Sequence, residues 1–261
     1  VGYGVDWGDP INNALRARIL FNENGGMNLA NLAKPTLGKV QGTPAWTAGS
    51  LGSGLDLSVT NTDFINGFGQ VLNTYANGVT AAAHLKPSSG HTAYGFIFEQ
   101  DNNAAAGEFQ FYLFSTGMNL GAYIRGAGAD IDSGVTLTAG VSYYVAIVYN
   151  PTGALKFYVN GSLKNTTAYI GTPETPSTAV SAIGAAGRAG ATGGSSIGSI
   201  ASMSIWQRSL SSPEIQRLYT EPFAGIQTPS RRFISLAAAG GLSIPPWWLV
   251  DTTEIVGASQ S

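Results

Sequence analysis

The chain has 261 residues and a net charge of -2, with 44% hydrophobic and 11% charged residues. So small a charge excludes a broadly basic nucleic-acid binder, and the apolar content excludes a strongly acidic disordered chain. It contains no cysteine, which excludes a disulfide framework, a thiolate nucleophile and a Cys-based metal site. The sequence shows no apolar run of about 20 residues that would span a bilayer, and its start shows no signal-peptide pattern. We therefore expect neither nucleic acid nor a membrane among the partners.

Short runs of β-forming residues dominate the middle of the chain. They are residues 79–85, 94–99, 108–114 and 120–125, separated by loops rich in Gly, Asn, Ser and Ala. Strands about 10–15 residues apart, with almost no helical periodicity, are typical of a sandwich or jelly roll. The run 108–114 is apolar on both faces, which predicts a central strand or one covered by a long loop.

Residues 141–168 predict a three-stranded antiparallel meander. Apolar residues alternate along 141–149 and again along 155–159, which is the period of a strand. The sequence Asn-Pro-Thr-Gly at 150–153 suits a type I turn, with Pro second and Gly fourth. Asn160-Gly161 tolerates the positive φ angles of a tight hairpin.

One short helix is predicted near 212–220. Ser211 and Glu214 have the spacing of a capping box, and Pro213 occupies the first turn. Apolar residues at i, i+3 and i+4 follow, and Pro222 ends the helix. A helix of this length must pack against the sandwich to be stable.

The last forty residues change character and predict an extended C-terminal arm. Residues 223–261 are too broken by Gly and Pro for a helix or a central strand, and too apolar for a solvated linker. We expect the arm to bury its apolar side chains on its own domain or, preferably, on another subunit. The predicted organisation is an N-terminal arm (1–12), a sandwich (13–222) and this arm. The side chains expected to bind a partner are Phe233, Ile234, Leu236, Trp247, Trp248 and Leu249.

Four segments resemble the laminin-G-like jelly rolls of the concanavalin A-like superfamily. They read FNENGG at 21–26, PAWTAGSLGSGLDL at 44–57, VSYYVAIVYNPTGALKFYVNG at 141–161 and IASMSIWQRSLSSPEIQRLY at 200–219. The last segment is the most specific, and together the four span about residues 13–222. The resemblance implies an all-β fold: a jelly-roll sandwich of two antiparallel sheets, one of them concave, with the short helix and the C-terminal arm attached.

The stretch from Pro222-Phe223 to the Pro-Ser-Arg-Arg-Phe segment at 229–233 is similar to tails of such domains in tailed bacteriophages and prophages. This similarity implies a virion component, assembled in the host cytoplasm. We therefore expect a non-enzymatic structural protein, foremost a capsid decoration protein anchored by its arm. Its partners would be the major capsid protein, other virion subunits or further copies of itself. The alternative is a carbohydrate-binding adhesin module on a tail or fibre.

Catalysis is not expected. Endoglucanases of this superfamily carry their acids as Glu-x-Asp-x-x-Glu, on one face of one strand. The nearest match here is Glu99-Gln100-Asp101, but position 104 is Ala104. The residues that follow suggest a turn, so we expect a solvated loop and no catalytic residue.

No cofactor is expected, with calcium left open. Calcium needs hard oxygen ligands, and Asp130 and Asp132 alternate across Ile131 so that both can point to one face. The usual acidic turn of the family after the first strand is missing, because residues 28–32 read NLANL. His84 and His91 belong to no triad or metal motif of readable spacing.

Sugar binding requires exposed aromatic rings beside polar groups. The candidates on the polar side of the predicted strands are Tyr112, Tyr123, Tyr144 and Tyr158. The alternative for each is ordinary packing within the sheets.

Overall fold

The structure is a computed structural model. It describes residues 4–22, 25–58, 62–89, 94–101, 108–114, 117–126, 130–169, 173–174, 180–185 and 197–227.

Within these ranges the chain is almost entirely β-structure. The strands are β1 (Gly4–Val5), β2 (Leu15–Leu20), β3 (Asn28–Ala30), β4 (Leu37–Gln41), β5 (Ala45–Gly49), β6 (Gly52–Asp56), β7 (Phe64–Asn66), β8 (Val79–Pro87), β9 (Gly95–Asp101), β10 (Phe109–Leu113), β11 (Asn119–Ile124), β12 (Ile131–Thr136), β13 (Tyr143–Asn150), β14 (Ala154–Val159), β15 (Ser162–Ala168), β16 (Val180–Ala182), β17 (Gly198–Trp206) and β18 (Ile226–Gln227). A 3-10 helix covers Pro10–Asn12, and the helix α1 covers Ser212–Thr220.

Two antiparallel sheets form the sandwich. The larger has eight strands in the order β15-β14-β13-β8-β17-β6-β5, with β2 also paired to β17. The smaller has five strands in the order β12-β11-β10-β9-β16. Two minor sheets, β3-β4-β7 and β1-β18, complete the described part. This architecture confirms the predicted jelly roll.

The main hydrophobic core lies between the two large sheets. It includes Phe98, Phe109 and Phe111 from the five-stranded sheet and Ile147 and Phe157 from the eight-stranded sheet. A second apolar cluster lies on the outer side of the eight-stranded sheet, where Ile215 and Leu218 of α1 pack with Tyr144, Tyr158 and Trp206. The helix therefore covers part of the outer side of the eight-stranded sheet.

The meander and its turns form as predicted. Strands β13, β14 and β15 pair in sequence. The amide of Gly153 donates to the carbonyl of Asn150 over 3.0 Å, closing the first turn. Asn160 and Gly161 have φ angles of 50° and 77°, so the second turn uses the left-handed conformation that these residues tolerate.

The helix prediction is confirmed in its bounds and its cap. Glu214 Oε2 accepts from the amide of Ser211 over 2.8 Å and from the Ser211 hydroxyl over 2.7 Å. Glu214 also forms an ion pair with Arg208 over 2.7 Å. These contacts fix the start of α1 on the turn that follows β17.

The two ends of the described body meet. Strand β1 pairs with β18, with Gly4 opposite Gln227, and Val5 and Ile11 are buried. The carbonyls of Pro222 and Ala224 are held by Arg18. Residues 4–12 and 223–227 thus pack on the sandwich, although the sequence predicts them as parts of arms.

Candidate functional site

Three carboxylates come together on the outer face of the five-stranded sheet. Glu99 and Asp101 lie on β9, and Glu108 directly precedes β10; carboxylate oxygens of the three lie within 4.8 Å of one another. The exposed fraction is 0% for Glu99 and Asp101 and 6% for Glu108. The predicted solvated loop is therefore wrong for 99–101, because β10 and β16 pair with β9 on both sides.

The amide of Gln110 and the guanidinium of Arg125 interact with this cluster. Gln110 donates through Nε2 to Glu99 over 3.0 Å and also to Glu108. Arg125 lies 3.8 Å from Glu108 and 3.2 Å from Glu174. The three carboxylates supply the hard oxygen ligands that a divalent cation prefers. Sequence reasoning missed Glu108, although it shares the strand parity of Gln110.

An aromatic patch occupies the other end of the same face. We define the aromatic patch as Tyr94, Phe96, Tyr112 and Phe114. Ring centroids lie 4.9 Å apart for Tyr94 and Tyr112 and 5.2 Å apart for Tyr112 and Phe114. Tyr94 is 37% exposed, Phe96 and Phe114 are half-buried, and Tyr112 is buried beneath them. The patch therefore presents partly open rings on a rigid support.

Asp130 fixes two of these rings. Its carboxylate accepts from the Tyr94 hydroxyl and from the Tyr112 hydroxyl, each over 2.7 Å. The hydrogen bond to Asp130 raises the pKa of Tyr94, and burial, with Asp130, raises the pKa of Tyr112. Both phenols therefore stay protonated at neutral pH, as donors to Asp130.

Asp132 has different partners from those of Asp130. It accepts from Asn119 Nδ2 over 3.1 Å and from the amide of Gly134 over 2.7 Å. Both aspartates are exposed at the outer face. Among the described residues, Glu99, Asp101 and Glu108 are the group of three acids with metal-ligand spacing, so the structure does not add a third acid to the predicted calcium pair.

A glycine makes room for the aromatic patch. Gly121 lies on β11, and a Cβ atom there would stand 2.5 Å from ring atoms of both Tyr112 and Phe114. A side chain at this position would displace one of the rings. The absence of a side chain at 121 is thus a requirement of the patch.

The predicted glycan-binding tyrosines differ in accessibility. Tyr112, Tyr144 and Tyr158 are 0%, 4% and 0% exposed, so the expectation that they are exposed is wrong. Helix α1 covers two of them: the Tyr158 hydroxyl lies 3.0 Å from Ser212 Oγ, and the ring of Tyr144 lies 6.2 Å from that of Tyr219. Tyr123 is the one tyrosine of the four that is half-buried. It lies on β11, beside the acidic cluster.

Sequence reasoning missed Tyr94, Phe96 and Phe114 as open rings. Phe114, just after β10, shares the parity of Tyr112, but Tyr94 and Phe96 share the parity of the core residue Phe98, because a β-bulge interrupts β9. The partner of β10 shifts from Phe98 at Phe111 to Phe96 at Tyr112, so simple alternation does not bring Phe96 to the outer face. The arm residues predicted to bind a partner (Phe233, Ile234, Leu236, Trp247, Trp248 and Leu249) lie outside the described residues.

The two-sheet antiparallel jelly roll is an architecture that lectin domains share with viral capsid proteins. Residues 60–216 match the family model described as the Concanavalin A-like lectin/glucanases superfamily. The chain belongs to this family. A comparison with curated proteins gives no match.

Solved structures share the fold at low sequence identity. Domain 4 of the extracellular arabinanase AbnA from Geobacillus stearothermophilus, in complex with arabinotriose, is 18% identical with a TM-score of 0.61; the match covers 78% of this chain and 98% of that domain. The receptor-binding domain of botulinum neurotoxin C/D mosaic serotype is 15% identical with a TM-score of 0.60, covering 80% of this chain. The binding domain of Paraclostridial Mosquitocidal Protein 1 is 13% identical with a TM-score of 0.59, covering 82% of this chain. This chain spans about half the length of the last two domains, 51% and 53%.

In the described part of the chain, α1 is the only α-helix, and it is too short to cross a bilayer.

Proposed function

We propose that this protein is a non-enzymatic carbohydrate-binding module, and that the aromatic patch with Asp130 is its binding face. The observation that carries the proposal is the fixed, partly open ring of Tyr94, held by Asp130 beside Phe96 and Phe114. Ligand sites combine apolar ring surface with a few oriented polar groups. The arabinotriose complex of a domain with the same fold supports this reading.

The charge of the face selects the class of sugar. Asp130 and Asp132 are exposed around the patch, and the acidic cluster lies further along the same sheet. Carboxylates accept hydrogen bonds from sugar hydroxyls, whereas they repel sulfate or carboxylate groups. The preferred ligand is therefore a neutral oligosaccharide rather than a uronic or sulfated one.

Burial of the acids supports binding without turnover. Glycoside hydrolysis requires two carboxyl groups that flank the bond to be cleaved. Glu99, Asp101 and Glu108 are almost fully buried, and Gln110 donates hydrogen bonds to Glu99 and Glu108. We therefore expect these carboxylates to make no contact with the glycosidic bond of a sugar that lies on the aromatic patch.

Calorimetry with arabinotriose, a neutral glycan panel and trigalacturonate tests the proposal. We expect a neutral member to bind the full chain, and the affinity to fall about tenfold in Tyr94→Ala, because one stacking ring and its hydrogen bond are lost. Tyr219→Ala is the matched control, since Tyr219 is 39% exposed but lies on α1, away from the patch. Equal losses in both variants, or preferential binding of trigalacturonate, would refute the assignment.

A second proposal concerns where this module works. The apolar segment with Phe233, Ile234, Trp247 and Trp248, and its similarity to phage tails, favour a virion protein of a tailed bacteriophage, foremost a capsid decoration protein. The chain is fixed on the sandwich up to residue 227, because β18 pairs with β1 and Arg18 donates hydrogen bonds to the carbonyls of residues 222 and 224. Sugar binding and particle attachment are compatible, since they use different parts of the chain.

Particle attachment is tested with a double variant of the full chain. We expect Trp247→Ala/Trp248→Ala to lose co-sedimentation with capsids, because burial of two indole rings is removed. Its melting temperature should stay unchanged, and Trp7→Ala, at an exposed tryptophan of the body, should still co-sediment. Undiminished co-sedimentation of the double variant would exclude the segment as the anchor.

A further inference from the structure

The outer side of the eight-stranded sheet contains a small polar cavity beneath α1. Strand pairing places Tyr144, His84 and Ser202 in one row across β13, β8 and β17. The neighbouring row runs from Arg18 to Ser204 and then to two alanines. The alanines leave space that the larger polar groups surround. The lining includes Arg18, His84, Tyr144, Ser202 and Ser204.

Arg18 brings a positive charge into this cavity without a direct counter-ion. It is 2% exposed, and burial lowers its pKa to about 10, so it remains charged at neutral pH. Its Nη1 and Nη2 donate to the carbonyls of Ala224 and Pro222 over 2.8 and 2.9 Å. Those acceptors are neutral dipoles, and a buried charge is costly unless an opposite charge compensates it.

No carboxylate among the described residues lines the cavity. Asp9 acts on Arg18 only through its longer-range field. The carboxylate of Asp9 is held by Arg217, with two hydrogen bonds of 2.9 and 2.7 Å. The charge of Arg18 is therefore left for another group to balance.

Two buried polar atoms of the lining have no partner among the described residues. They are Nε of Arg18 and the hydroxyl oxygen of Tyr144, and Tyr144 is 4% exposed. Beside them, His84 Nδ1 and Ser202 Oγ lie 2.9 Å apart. Buried polar groups are almost always hydrogen-bonded, so unpaired donors around a cavity indicate that the cavity binds something that accepts.

The size and charge of the cavity define the ligand. Its volume is about 10 Å³, which leaves room for one small group and excludes a ligand of many atoms. A water satisfies hydrogen bonds but carries no charge, whereas a monatomic anion accepts from the same donors and also neutralises Arg18. We propose that this cavity is a binding site for one small monovalent anion of the size of chloride, held by Arg18, Tyr144 and the neighbouring serine hydroxyls.

A neighbouring cavity has the same character. It shares His84 and is lined by Lys86, Ser142 and Ser199, again with no carboxylate among its described lining residues. The surroundings of the proposed site therefore carry the positive charges of Arg18 and Lys86 and several hydroxyl donors. This arrangement favours an anion over a cation along the whole row.

The test is a chloride titration of the melting temperature of the full chain. Sodium chloride replaces sodium gluconate at constant ionic strength, because gluconate is too large for the cavity. We expect the melting temperature to rise by about 3–6 °C when chloride reaches ten times its dissociation constant. Crystals soaked in sodium bromide should show an anomalous peak between Arg18 and Tyr144.

The variants separate the site from the general effects of salt. Tyr144→Phe removes only the unpaired hydroxyl, and it should raise the half-saturating chloride concentration about tenfold, because a hydrogen bond to a charged ligand is lost. Tyr169→Phe is the control, since it removes the hydroxyl of another buried tyrosine, at 5% exposure. Equal melting temperatures in chloride and gluconate, or the absence of a bromide peak in the cavity, overturns the proposal.

Discussion

The two outer faces of the sandwich differ in chemistry although both belong to antiparallel sheets of one domain. The outer face of the five-stranded sheet carries carboxylates and the aromatic patch, and three of the four patch rings remain partly open. The outer face of the eight-stranded sheet carries Arg18, His84 and a series of hydroxyls, and α1 covers part of it. The first face is negative and is accessible at the aromatic patch and the two aspartates, whereas the second holds the buried positive charge of Arg18.

The difference teaches that strand alternation assigns a side chain to a face but not to solvent. Tyr112 and Tyr144 both point away from the main core, as their parity requires. The first is buried by its neighbours in the aromatic patch, and the second is buried by α1. What covers a face decides whether its residues bind a ligand or stabilise the fold.

The largest effect is expected from a large side chain under the helix. Trp206 is fully buried and donates from Nε1 to the carbonyl of Ile11 over 2.8 Å. Trp206→Ala should lower the free energy of unfolding by about 4 kcal/mol, because a cavity forms and the carbonyl loses its partner. Urea denaturation followed by circular dichroism measures this loss. Trp7→Ala, at 61% exposure, should change stability by about 0.5 kcal/mol or less; comparable losses would contradict the idea that the covered face is a second core.

A pH-dependent effect of intermediate size is expected from His84. Burial lowers the pKa of His84 to about 4, below its ordinary value of 6.5. Between these values the unfolded chain binds a proton that the folded chain does not, so the stabilisation is complete above pH 6.5 and is lost as the pH falls towards 4. At pH 5 the loss relative to pH 7.5 should be about 2 kcal/mol.

The comparison of native protein with His84→Gln isolates this contribution. Urea midpoints and slopes are measured for both proteins at each pH, because other acids also titrate in this range. The variant should lack the share of the pH dependence that His84 supplies. Parallel pH profiles would show that His84 has the same pKa in the folded and the unfolded chain, and this would contradict its enclosure.

The smallest loss of stability, coupled to a loss of binding, is expected on the open face. Gly121→Val places a branched side chain against the rings of Tyr112 and Phe114. We expect stability to fall by about 1–2 kcal/mol, and affinity for the neutral oligosaccharide to fall because the rings are displaced. Denaturation and calorimetry measure the two effects. Gly4→Ala is the control, because a Cβ atom there meets nothing within 4 Å. Native affinity in the Gly121→Val variant would show that the aromatic patch does not bind the oligosaccharide.

Local features of the fold were predictable because their causes are local. The turn at 150–153, the hairpin at Asn160-Gly161 and the cap at Ser211 and Glu214 each depend on residues within four positions of one another. The structure confirms all three. The strand runs were predictable for the same reason, because alternation is read within a single strand.

The sites depend on order between strands, which the sequence does not display. Arg18, Tyr144 and Ser204 meet only because β2, β13 and β8 are arranged around β17. Glu108 joins Glu99 across a strand pair, and the bulge in β9 moves Phe96 opposite Tyr112. Residue spacing along the chain does not predict these contacts, because strand pairing and register bring the residues together.

The pairing of β1 with β18 has a consequence for how the domain can be handled. Gly4 and Gln227 face each other, so a short Gly-Ser linker would join them without crossing the sandwich. A circularly permuted version, opened at the 150–153 turn, would keep every sheet while its new ends emerged elsewhere on the surface. The same proximity lets the domain be inserted as a unit into a surface loop of a host protein, entering and leaving at nearly one point.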